Sequence, residues 1–203
     1  MPTTIDYYLT PQSPWTYLGH ERFAHIARAA GATVRVVPVD LGGQVFPVSG
    51  GLPLAKRAPQ RQAYRLQELQ RFSAWLNLPL NLQPKYFPVA GDDASRLIIA
   101  VNQQDGSEAA MRVGGAIFKA VWAQERDIAS SEVLAQILSE CGLGADRLEQ
   151  MRSPAVQQAY EANTRQAIDA GVFGAPSYVI ADEIFWGQDR LDFVERKLAG
   201  MAR

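Results

Sequence analysis

Residue types able to do chemistry are scarce in this chain, which holds one cysteine, Cys141, and two histidines, His20 and His25. A lone cysteine cannot close an internal disulfide, and these residues show no metal-ligand spacing. Cys141 also continues the apolar stripe Leu134, Ile137, Leu138 at helical intervals, the pattern of a buried structural thiol. Any thiol chemistry has to come from a bound molecule. The side chain best placed to serve such chemistry is Ser13, directly before Pro14. Serine is a strong N-cap and proline suits the first helical position, so the pair marks the start of a helix. The free N–H groups and partial positive charge there favour an anion. A plain N-cap with no ligand reads the same way at this level.

Other residues could flank such an anion. Trp186-Gly187-Gln188-Asp189 ends a strand pattern and opens a helical one, so its backbone N–H groups can hold a carboxylate, while Asp189 can meet an ammonium or simply cap the helix. Lys56 and Arg57 follow a glycine-rich stretch, where a cation can meet a carboxylate or face water. Trp15, Tyr17 and Phe87 are aromatics that suit either a substrate wall or the core.

The elements that must position these residues follow from periodicity. Residues 5–9 and 33–39 are short, β-branched and aromatic runs that bracket a helical segment from about Pro14 to Ala30, a β-α-β unit that predicts parallel strands. From Leu41 to Pro53 the pattern dissolves into a long glycine- and proline-rich loop, a length that points to function. Helical patterns then cover 56–76, 93–104, 107–124, 130–141 and 153–170. After Gly171 the texture returns to strands at 176–181 and 183–186, joined by a tight turn at Asp182, and a helix from 189 to 198. The order β-α-β, helical insertion, β-β-α defines an α/β class. At 203 residues and 47% hydrophobic content, one good-sized core with an insertion is expected. Twenty Lys and Arg against 21 Asp and Glu build no basic field, so nucleic acid is not an expected partner. No apolar run approaches the roughly 20 residues of a membrane span, and Met-Pro-Thr-Thr-Ile-Asp is not the start of a signal peptide, so a cytoplasmic location is expected.

Four segments together resemble the 2-hydroxychromene-2-carboxylate isomerases and the related kappa-class glutathione transferases. They are Asp6-Tyr-Tyr-Leu-Thr-Pro-Gln-Ser-Pro-Trp-Thr-Tyr17, Gly50-Gly-Leu-Pro-Leu-Ala-Lys-Arg57, Phe173-Gly-Ala-Pro-Ser177 and Phe185-Trp-Gly-Gln-Asp-Arg190. The isomerase branch fits better, chiefly through the first and last. The resemblance implies a DsbA-like thioredoxin fold, with residues 1–40 and 171–203 forming a discontinuous thioredoxin-like domain and 41–170 a connecting loop and all-helical insertion. In disulfide oxidoreductases of this fold the first cysteine of C-x-x-C stands where Ser13 stands here. Ser13-Pro14-Trp15-Thr16 lacks both cysteines, which excludes dithiol exchange by the chain itself.

What the resemblance implies for the site is specific. Glutathione is the expected cofactor, its thiolate stabilised by the Ser13 hydroxyl. Ala175-Pro176 is expected to be a cis peptide whose Ala175 backbone pairs with the cysteinyl backbone of glutathione. Trp186, Gly187, Gln188 and Asp189 are expected to receive its γ-glutamyl end. Lys56 and Arg57 are expected near a substrate carboxylate or the glycine end of glutathione, and Trp15 and Phe87 beside the aromatic part of the substrate. Where kappa-type transferases tend to present an asparagine, this chain reads Ser49-Gly-Gly51. The implied reaction interconverts 2-hydroxychromene-2-carboxylate and trans-o-hydroxybenzylidenepyruvate through reversible thiolate addition, in a homodimer. A kappa-like transferase or peroxidase and a non-enzymatic thiol-binding module are the alternatives.

Overall fold

A computed structural model describes residues 3–201, so the termini at 1 and 203 assigned to the thioredoxin-like unit lie outside the described residues. Strand β1 (Thr4–Leu9) leads through helix α1 (Pro14–Ala29) to β2 (Thr33–Pro38), and the two strands pair in parallel from Thr4 with Thr33 to Leu9 with Pro38. The α1 crossover makes parallel pairing possible. Near the other end of the chain β3 (Ser177–Ile180) runs antiparallel to β1 and to β4 (Glu183–Trp186), giving the sheet order β2-β1-β3-β4. The β3–β4 turn is two residues, Ala181 at φ 48° and Asp182 at φ 67°. Two positive φ values match the right-handed twist of the flanking strands.

Between β2 and β3 lie α2 (Phe46–Ser49), α3 (Pro59–Leu76), α4 (Asp92–Trp122), α5 (Ser131–Glu140), α6 (Arg147–Gln150) and α7 (Pro154–Asp169); α8 (Leu191–Met201) follows the sheet. The expected break between two helical patterns near residue 105 is real in conformation: within α4, Gly106 sits at φ 83° and ψ 174°. The 41–53 stretch differs from the loop expected there. Leu41–Val45 makes a wide helical turn, opened by the Asp40 carboxylate accepting from Gly43 N, and α2 follows directly. Periodicity also passed over α6, which is a single turn too short to show an amphipathic stripe.

Alternation along the strands sends side chains to both faces of the sheet. Ile5, Tyr7 and Leu9 of β1 join Leu18 and Phe23 of α1, Val113 and Ile117 of α4, and Leu191 and Val194 of α8 in the main core. Tyr8, Val37 and Val179 pack on the opposite face against Ala167 of α7. Tyr7, Phe23 and Tyr178 cluster at centroid distances of 4.5–5.4 Å, fixing α1 across β1 and β3. The start of α1 is thereby held at the carboxyl end of β1. No helix among the described residues is long and apolar enough to cross a membrane.

Candidate active site

Ser13 is the N-cap of α1 in extended conformation, with Pro14 at the first helical position. Its Oγ accepts from Thr16 N at 3.2 Å and its hydroxyl donates to the Ala175 carbonyl at 3.2 Å, so the helix start and the Ala175-Pro176 loop meet at one oxygen. The Ala175-Pro176 peptide is cis. Ser13 and Ala175 are both buried. An anion placed here finds a hydroxyl able to turn from a carbonyl, together with the N-terminus of a four-turn helix.

The 186–189 segment is tied to the same loop, since Gly187 N donates to the Pro176 carbonyl at 2.9 Å. Gly187 has φ 102°, and a Cβ on it would lie 2.6 Å from Asp189 Oδ1, so only glycine leaves room for that carboxylate to fold back over the backbone. Asp189 pairs with Arg190 at 2.6 Å, and both are about half exposed. Gln188 is buried, and its side-chain oxygen and backbone carbonyl both accept from the Arg22 guanidinium, at 3.1 and 3.2 Å. Its side chain thus fastens the segment to α1 and faces the interior. Trp186 is half exposed, packs at a tilt against Phe173 at 4.9 Å, and lies so close to Gly174 that a Cβ there would come within 2.2 Å of the indole nitrogen.

The residues assigned to substrate divide. Trp15 is half-buried against Phe72 of α3, at 6.1 Å between ring centroids. Lys56 is exposed on the short turn Leu54–Lys56. Arg57 donates from Nε to the Leu52 carbonyl at 2.8 Å, and burial, then the nearby Arg61, pushes its guanidinium below the usual range. Phe87 packs on Trp122 at 4.9 Å.

Arg65, absent from the candidates above, lies over both rings, 5.4 Å from Phe87 and 5.6 Å from Trp122. Burial, and secondarily the Arg57 charge, lowers its guanidinium to about 10. A signal existed in the sequence: Arg61 and Arg65 stand four residues apart and so share a face of α3, Arg57 precedes that helix in extended backbone, and no carboxylate lies among the three. Glu68, one turn further, is taken up by Arg71.

Comparison with known proteins establishes the family of the chain. The model of the DSBA-like thioredoxin domain matches residues 4–199. A 2-hydroxychromene-2-carboxylate isomerase of Sphingobium xenophagum is 31% identical over 98% of this chain and 99% of its own. The chain belongs to this isomerase family. A second 2-hydroxychromene-2-carboxylate isomerase, from Pseudomonas putida, is 28% identical over 98% of the chain and 96% of its own length. A solved 2-hydroxychromene-2-carboxylate isomerase superposes with a TM-score of 0.81 at 25% identity, covering 98% of this chain and 96% of that one. The fold is therefore DsbA-like thioredoxin, as expected. In this chain the first helix of the DsbA-like fold starts at Ser13, and Ser13-Pro14-Trp15-Thr16 holds no cysteine.

Proposed function

We propose that this protein is a glutathione-dependent isomerase that interconverts 2-hydroxychromene-2-carboxylate and trans-o-hydroxybenzylidenepyruvate, or a close relative of that pair from aromatic breakdown. The names of its homologues support an isomerase. The observation that carries glutathione dependence is the Ser13 hydroxyl, capping α1 and lying 3.2 Å from the Ala175 carbonyl in a site with no cysteine of its own. The surroundings fit the tripeptide in kind: a helix N-terminus for an anionic sulfur, the Ala175 backbone for a peptide strand, and the glycine cradle at 187 beside the Asp189 carboxylate for an α-amino acid end.

Bound glutathione would supply a thiolate able to add reversibly to a conjugated double bond, freeing that bond to rotate. The chain's residues do the rest. Ser13 turns its hydroxyl from Ala175 to the sulfur, and the dipole of α1 adds to the stabilisation, drawing the thiol from about 8.5 toward neutrality. Trp186 and Asp189 present the half-exposed surface that receives the γ-glutamyl end. Arg22 holds that surface in place through Gln188.

Titrating glutathione into the protein while following thiolate absorbance in the ultraviolet tests the reading. A lowered thiol pKa in the wild type that returns to the free value in Ser13→Ala is the expected result. An unchanged pKa, or the same drop in both proteins, rejects the role of Ser13. Turnover without loss of glutathione identifies the isomerase, whereas net consumption identifies a transferase.

A further inference from the structure

Arg65 is half-buried on α3, with its stem covered and no counter-charge at its head. Among the described residues Arg65 makes neither an ion pair nor a hydrogen bond; its guanidinium lies over the faces of Phe87 and Trp122. Its neighbour Arg57 repels it, and Glu68, the acid one turn away, is engaged by Arg71. A second donor in the same cluster is also unmet: Trp122 is fully buried and its Nε1–H has no acceptor. Arg57, by contrast, spends its Nε on the Leu52 carbonyl. The cluster therefore combines an unpaired positive charge with free N–H donors and planar apolar surface from Phe87, while the Trp122 N–H stays sealed in the core. The two aromatic faces offset part of the burial, and the guanidinium nitrogens, which still reach solvent, keep their N–H donors free for a ligand. Sites that hold binding energy in reserve for a ligand have this character.

We infer that Arg65, supported by Arg57, is the anchor for the carboxylate of a planar aromatic ligand, with Phe87 against its ring. The guanidinium offers a two-pronged donor set that matches a carboxylate. This rests on the aromatic carboxylate class proposed above and moves its recognition from Lys56, which is exposed, to the α3 face.

Calorimetric titration of chromone-2-carboxylate and of its neutral amide into the glutathione-free protein tests it. The wild type is expected to bind the acid at least tenfold more tightly than the amide. Arg65→Met removes that preference while the melting temperature stays level or rises, because an uncompensated buried charge has been removed. Arg65→Lys retains part of the preference. Equal binding of acid and amide by the wild type overturns the assignment, as does an undiminished preference in Arg65→Met. A melting temperature several degrees lower in Arg65→Met would make Arg65 a piece of the scaffold and overturn it too. The Ser13-dependent thiol titration is expected to be unaltered in Arg65→Met, so failure here leaves the thiolate reading standing, and the reverse.

Discussion

The Ser13 hydroxyl has two bonds in the free chain and would need to exchange one of them. Its oxygen accepts from Thr16 N, and its proton goes to the Ala175 carbonyl. A bound thiolate competes only for the proton, so the cap of α1 survives while the site is occupied. Ser13→Ala loses both bonds and leaves a buried carbonyl unmet, an expected destabilisation of about 1–3 kcal/mol in urea unfolding. Ser13→Gly is expected to recover most of the capping part, since glycine at this position costs only a few tenths of a kcal/mol, yet not the thiol shift. Stability in Ser13→Ala equal to the wild type would mean that neither bond matters to the fold.

At the scale of elements, the site depends on how closely pieces approach. Gly19 of α1 lets the 188 segment lie against the helix: a Cβ there would come 2.9 Å from Gln188 Cβ and 3.0 Å from the Tyr178 hydroxyl. Gly19→Ala is expected to destabilise by about 1–3 kcal/mol through overpacking and to weaken glutathione binding by displacing residues 186–189. Urea midpoints together with a glutathione titration check both effects; weakened stability with unchanged affinity would detach that segment from the cofactor. The hairpin offers the opposite sign. Ala181 occupies the left-handed region at φ 48°, where a Cβ is unfavourable and asparagine or glycine is at home. Ala181→Gly is expected to raise stability by roughly 0.5–1 kcal/mol in the same assay, and a loss would contradict the turn geometry.

Across the whole molecule, β1, α1 and α4 meet at His20. Its Nε2 lies 2.9 Å from the Met111 carbonyl and its Nδ1 3.1 Å from the Tyr7 hydroxyl, which suits a neutral ring donating from Nε2 and accepting at Nδ1. Burial lowers its pKa, opposed in part by the Glu21 carboxylate and the bond to Met111. The unfolded chain therefore binds the proton first as pH falls. This contribution to stability is full above the ordinary histidine value of about 6.5 and is lost progressively below it, until the lower folded value is reached. Unfolding free energy measured in urea from about pH 7.5 to 5 is expected to decline below 6.5, ahead of the carboxylate range. A flat profile across that window would mean that the ring is not held neutral.

How much of this was legible in the amino-acid order depends on the range of the interaction concerned. The start of α1 at Ser13-Pro14, the strand runs, the break in α4 and the β3–β4 turn are local matters of capping, alternation and glycine placement, and they stand where the sequence puts them. Family motifs carried the resemblance, and with it the fold. Tertiary structure alone decided that Ser13 meets Ala175 across 162 positions of chain, that Gln188 turns inward to Arg22, and that Arg65 lies over the rings of Phe87 and Trp122. A helical pattern shows that Arg61 and Arg65 share a face of α3, but only the packing of a distant loop and helix end lays the rings of Phe87 and Trp122 against the guanidinium of Arg65.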